Sequence, residues 1–508
     1  MSMKVNIIGA GISGLSAGCY LQMCGFETQI FEKHNIPGGL CTSWKKGEYT
    51  FDGCAHWILG SDKGSSFHKI WAELFDLKSM EFVNHEVRMA IELKENTNKY
   101  GEKTFYFYTN LHKLEAYLLD LAPEDEFQIK RLVNSVRTMQ QFDLPPIMDD
   151  LPFWEATKRG IKMARYWRFF KLLLEWKNET NFSFSQKFKN PFLAESFRTL
   201  YDDHEVNMLV FTMPLAAMDQ KSAGYPIGGS LKFAEKLEQR YLSLGGKIHY
   251  KTPVHKIVTE NGRATALLVR NNVVHEADIT LSASDWHWTL FEALEGKFVD
   301  EKAKKFADLK VLEPYYGVVQ FSFGINADLR HLPHFTRFPL ENPIQSPDGT
   351  TYDRFEVHLY HYDPTMAPEG KTAAVVSYYT KKGEYWINLR KSDRHQYRAI
   401  KSQFQEIILT ELDKRLGGIR DKVEEMDFAT PASVLRYTNN WKGSAQGWLP
   451  SNNLFELYNI GFYLPGLKDF FYSSHWSQPG GGLPVAAKQG RDVAKEICKK
   501  YKVPFKTS

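Results

Sequence analysis

An α/β fold carrying a doubly wound, Rossmann-type parallel sheet, joined to an α+β unit with an antiparallel sheet, is predicted by three observations. The opening residues read as strand, glycine turn, helix, strand and acid. A second block with the same strand and helix signals returns after residue 220, and strand-like alternation recurs over 318–323, 356–360 and 373–379. With 508 residues the chain exceeds what one simple core organises, so two or three joined domains are expected.

The first element is Lys4-Val5-Asn6-Ile7-Ile8, followed by Gly9-Ala10-Gly11-Ile12-Ser13-Gly14, a small-residue helix, and Glu27-Thr28-Gln29-Ile30-Phe31-Glu32. Each residue type suits a dinucleotide. Gly9 allows the tight turn, Gly11 lets backbone approach a pyrophosphate, Gly14 lets the helix lie close to the sheet, and Glu32 is placed for a ribose diol. The helix N-terminus then faces the phosphates. Next come Pro37-Gly38-Gly39-Leu40-Cys41, a loop whose backbone amides can reach phosphate oxygens or a ring edge, and Phe51-Asp52-Gly53.

Downstream, Gly228-Gly229-Ser230 opens a helix with Ser230 as the expected N-cap, and Gly245-Gly246 closes it. Strands are expected over 247–250 and 254–258, a hairpin at Asn261-Gly262, and a strand over 277–283. Residues 397–416 have a helical pattern. Near the end, Pro479-Gly480-Gly481-Gly482-Leu483-Pro484 starts a helix whose N-terminus can stabilise an electron-rich ring. Residues 151–176 mix Trp, Tyr and Leu with Lys and Arg, the composition of a membrane-surface helix or of a helix that caps a cavity.

Lys and Arg number 64 against 60 Asp and Glu, so no global field argues for a nucleic-acid partner. Five cysteines without a C-x-x-C pair fit a reduced, cytoplasmic chain, and no stretch is apolar for long enough to span a bilayer. No metal-ligand set is read. His56 and His475 are the candidates for a proton-handling, catalytic group.

Taken together, these stretches resemble the phytoene desaturase, carotenoid isomerase and retinol saturase family of flavoenzymes. The resemblance includes Tyr225-Pro226-Ile227-Gly228-Gly229, Ser282-Ala283-Ser284-Asp285, Asp363-Pro364, Thr430-Pro431 and Gly443-Ser444-Ala445-Gln446-Gly447, and so runs through nearly the whole chain. It implies a p-hydroxybenzoate-hydroxylase-like fold holding one FAD. The implied contacts are Gly9, Gly11, Ser13, Gly14, Glu32 and Lys33 at one end, with Gly38, Gly39 and Leu40 beside them. Gly480, Gly481, Gly482 and Leu483 are implied near the flavin ring. The implied FAD domain is discontinuous, over 1–95, 221–310 and 441–508, with a substrate domain over 96–220 and 311–440.

The resemblance further implies hydride transfer between flavin N5 and the carbon–carbon bonds of a long apolar, polyene or isoprenoid substrate. Peripheral contact with the cytoplasmic face of a membrane is implied as well. Without a second glycine triplet after a strand, an external donor or acceptor is expected: oxygen, a quinone or a reductase. Three alternatives stand beside this reading: a redox-neutral flavin isomerase, an amine-oxidase-like enzyme, and a prenyl carrier of the GDP-dissociation-inhibitor type. The chain departs from many relatives at Leu40-Cys41 and at Ser477-Gln478, while His56 after Asp52-Gly53 leans toward the retinol saturase branch.

Overall fold

The structure, a computed structural model, describes residues 2–63, 65–142, 167–201, 203, 205–449 and 460–508. Its centre is a five-stranded parallel sheet. Strand β1 (Lys4–Ile8) lies between β2 (Glu27–Phe31) and Ile279–Ser282, with Lys247–His249 and Phe470–Tyr472 at the edges. Val5 and Ile7 of β1 are fully buried, as a continuous apolar run requires when both faces of a parallel strand are covered. Asn6 is buried too, but its amide donates to the His275 carbonyl at 2.8 Å and accepts from Gln29 at 2.7 Å.

Helix α1 (Ile12–Met23) crosses from β1 to β2 and is buried on all sides. Small residues make that possible. A Cβ at Gly18 would lie 2.6 Å from the Tyr241 ring of helix Gly229–Ser243. On the other side, a Cβ at Gly490 of helix Leu483–Lys500 would lie 2.4 Å from the Ser13 carbonyl of α1. Distant segments of the chain therefore clamp the first helix.

The second large element is a seven-stranded sheet in the order Val423–Ala429, Gly317–Ile325, Thr372–Thr380, Thr351–Leu359, Phe335–Gln345, Val87–Glu92, Thr104–Tyr108. It is antiparallel except where Phe335–Gln345 meets Val87–Glu92. Helices Leu111–Leu121 and Glu126–Gln140 share an apolar core with its last two strands.

The structure differs from the sequence expectations at three points. Val87–Glu92 joins the large sheet, so the change from one sheet to the other comes before residue 95. Ser230 is not an N-cap: Gly228, at φ +95°, starts that helix, and the carboxylate of Asp52 accepts the Ser230 N–H at 2.6 Å from across the fold. Of the segment 151–176, residues 151–166 lie outside the described residues. The described part, helix Trp167–Trp176, buries Phe169, Leu172 and Trp176 and exposes Trp167 and Leu174.

Candidate active site

The glycines around α1 divide into two kinds. Gly14 and Gly38 are packing glycines: a Cβ at Gly14 would lie 2.1 Å from the Gly9 carbonyl oxygen, and one at Gly38 would lie 2.2 Å from that of Cys41. Gly11 is different. Its backbone, at φ −71° and ψ 173°, is open to any residue, and a Cβ there would meet nothing within 4 Å. Neither conformation nor packing among the described residues accounts for a glycine at this position, whereas close approach by a ligand would.

The surroundings of Gly11 fit a pyrophosphate. No side chain caps the start of α1, and its first turn carries no acid, so its leading N–H groups and the positive end of the helix dipole face the opening. Gly38 lies beside Gly11 in a parallel bridge and donates its N–H to the Ala10 carbonyl at 2.8 Å, which brings the Gly38-Gly39 loop to the same spot. A Cβ at Gly39, at φ +62°, would point at Gly11 Cα from 3.5 Å.

Glu32 ends β2 in a fixed position. One carboxylate oxygen accepts the Ala10 N–H at 2.8 Å and the other the His34 N–H at 2.7 Å. Burial pushes its pKa up, and those two N–H groups together with Lys33 oppose the shift. A carboxylate held this way keeps lone pairs for two more donors, the number a ribose diol offers. The Lys33 ammonium is bonded to Asn439 Oδ1, and burial lowers its pKa. Ser13 turns its hydroxyl inward to the Ser473 carbonyl at 2.9 Å, leaving only its backbone N–H for the opening.

The Ser13–Ser473 link and the approach of Gly490 to the Ser13 carbonyl tie the segments on both sides of the C-terminal glycine turn to the start of α1. Gly480 (φ +78°) and Gly482 (φ +95°) need left-handed backbone, and a Cβ at Gly481 would lie 2.7 Å from the Gln446 amide nitrogen. Leu483 then begins a helix, with Gly482 at its uncapped N-terminus. A cavity of about 580 Å³ shares Gly39 and Leu40 with the dinucleotide cradle and extends to Val318, Gln320 and Phe428 of the large sheet. A second, of about 210 Å³, is bordered by His56, His85, His334 and His358.

The two candidate histidines have separate neighbours. The His56 ring stacks on His358 with centroids 4.0 Å apart, and His358 stacks in turn on Phe335. His56 lines the smaller cavity with its ring accessible there, and loss of solvation pushes its imidazole down to about 4. His475 is tied elsewhere. The Asn440 amide nitrogen donates to the Ser444 and Gln446 carbonyls, so its oxygen must accept the Trp476 indole N–H and His475 Nε2–H. That contact fixes the neutral tautomer of His475, whose pKa burial also pushes down to about 4.

Asp52 was visible only as part of a motif and proves to be a knot. Its carboxylate, 2% exposed, accepts the Ser230 N–H and hydroxyl, each at 2.6 Å, and the N–H groups of Cys54 (2.9 Å) and Ala55 (3.1 Å). It thereby holds the turn that presents His56. Burial pushes it up to about 6 against the pull of those donors.

The stacked imidazoles make a pH prediction. Burial holds His56 and His85 at about 4 and His334 and His358 well below the usual 6.5. As pH falls from 6.5 toward 4, the unfolded chain takes up protons at these sites that the folded chain refuses, so their contribution to stability is lost on the acid side. Replacing His358 with Phe is expected to reduce the fall in thermal midpoint between pH 7 and pH 4.5. A variant whose midpoint tracks the parent across that range would contradict this.

The fold and the cradle have the form of a Rossmann-type dinucleotide-binding site. A profile described as "NAD(P)-binding Rossmann-like domain" matches residues 7–74. The chain is 24% identical to a chloroplastic prolycopene isomerase of Daucus carota, covering 97% of this chain and 79% of the relative. It is 23% identical to a 4,4'-diapophytoene desaturase of Staphylococcus aureus, covering 98% of this chain and 99% of the relative. An oxidoreductase from Methanosarcina mazei superposes with a TM-score of 0.58 at 19% identity, over 97% of this chain and 100% of that one. A putrescine oxidase superposes with a TM-score of 0.58 at 12% identity, over 98% and 99%. Over nearly its whole length the chain is thus similar to proteins named for carotenoid isomerisation and desaturation, and it shares its fold with solved oxidoreductases.

Proposed function

We propose that the protein is an FAD-dependent oxidoreductase acting on carbon–carbon bonds of a long apolar substrate of polyene or isoprenoid type. The observation that carries the cofactor is Gly11, whose missing side chain nothing among the described residues explains and a pyrophosphate would. The substrate class is supported by relatives named for carotenoid chemistry along nearly the whole chain. FAD, when bound, supplies hydride acceptance or donation at its ring. The chain supplies the rest. The N–H groups at the start of α1 and that of Gly39 bind phosphate, and Glu32 orients the ribose. The N-terminus of helix Leu483–Lys500 favours negative charge beside it. His56, neutral at physiological pH, can accept a proton at its ring nitrogen.

The test is anaerobic mixing of FAD-loaded protein with carotenoids and retinoids. Bleaching of the 450 nm band identifies a desaturation substrate, and reoxidation of chemically reduced protein identifies a substrate for saturation. Bleaching by amines alone would replace this reading with amine oxidation. A second reading, redox-neutral isomerisation, is favoured by the relatives named prolycopene isomerase. It would appear as cis–trans conversion that needs reduced flavin and consumes none.

A further inference from the structure

The larger cavity has a chemical asymmetry that a neutral hydrocarbon does not use. One wall is apolar: Leu40, Trp44, Val318, Phe428 and Val434. The other carries five cations, Arg390, Arg394, Arg398, Lys401 and Arg436, against a single acid, Asp427. Arg394, Arg398 and Lys401 lie four and three residues apart, on one face of the first two turns of helix Arg394–Leu416. Among the described residues, no hydrogen bond or ion pair joins any of the five to another side chain. Asp427 is already engaged by the Trp44 indole N–H at 2.9 Å.

Lys401 marks the border between the two walls. Its ammonium lies 5.1 Å from the centre of the Phe428 ring and 5.4 Å from that of Tyr397. Burial lowers its pKa; Asp427 opposes that shift, while Lys46 and Arg390 reinforce it. Unpaired cations held together around a partly enclosed space repel one another, and an anion placed among them removes that cost. Arg394, Arg398 and Arg436 are exposed and form the mouth, while the apolar wall leads toward Gly39 and Leu40 at the cradle.

We propose that this cavity admits the anionic end of an amphiphilic substrate, a carboxylate- or phosphate-terminated apolar chain. The cations hold the head at the mouth and the apolar wall guides the tail toward the cofactor. The inference rests on the oxidoreductase reading above and narrows its substrate from a neutral polyene to an acidic one. Planar guanidinium groups suit either head, since both offer paired oxygens.

The experiment uses the full-length FAD-loaded protein and three probes followed by fluorescence: a conjugated C18 polyene acid, its methyl ester, and a fluorescent isoprenoid monophosphate. The acid is expected to bind at least tenfold more tightly than the ester and to weaken as salt rises. The acid and the phosphate are compared directly, and the tighter one identifies the head. The double variant Arg394→Gln/Arg398→Gln is expected to lose most of the preference for the anion while its ester affinity and FAD content stay within about twofold of the parent. Equal binding of acid and ester by the parent protein would overturn the proposal. So would a variant that loses FAD but keeps the anion preference, because the cations would then serve the cofactor. A parent protein that refuses FAD yet prefers the acid would refute the oxidoreductase reading alone.

Discussion

Gly11→Val is expected to yield a folded protein that holds no flavin. The backbone at this position is ordinary extended chain, and the new side chain would point into open space, so the fold should lose less than about 1 kcal/mol. The same side chain would occupy the position argued for the pyrophosphate. The contrast with Gly14→Val makes the point sharp. There the added Cβ falls 2.1 Å from the Gly9 carbonyl, and the α1 packing itself must break. Flavin absorbance and thermal midpoint, measured on both variants, separate a ligand glycine from a packing glycine. Full flavin loading of the Gly11 variant would remove the site assignment.

Asp52→Ala is expected to be the most damaging single change near the site. It strips the acceptor from the buried Ser230 N–H and hydroxyl and from the half-buried Cys54 N–H, and it loosens the turn that carries Ala55 and His56. Removing one side of such a buried network costs about 3–5 kcal/mol, which for a chain of this size corresponds to a drop of about 3–5 °C in thermal midpoint. Asp52→Asn, which keeps one acceptor oxygen, should fall between the two. A parental midpoint in the alanine variant would show that the carboxylate is not what ties the turn to helix Gly229–Ser243.

What could be seen in the sequence was local. Gly9, Gly11, Gly14 and Glu32 lie within one strand–helix–strand unit, where residue type and spacing suffice, and the strands at 247–249, 254–260, 279–282 and 372–380 follow from alternation and turn residues. What stayed hidden depends on partners far along the chain. Asp52 and Ser230 are 178 residues apart, so the true start of helix Gly229–Ser243 was not legible from its own residues. The tie between His475 and Asn440 joins residues 35 apart in the chain. Val87–Glu92 gave no sign of which sheet it would join, because its partner strand Phe335–Gln345 lies more than 240 residues later. The spacing of Arg394, Arg398 and Lys401 is visible in the sequence, but only the fold brings that face to the same cavity as Phe428 and Leu40.

Binding of FAD at the cradle around Gly11 is tested most directly by the visible spectrum of the purified protein, with the chromophore released by heat and identified. Flavin bands near 370 and 450 nm and free FAD in about one-to-one ratio with protein are the expected result. A colourless protein that also refuses added FAD would contradict it.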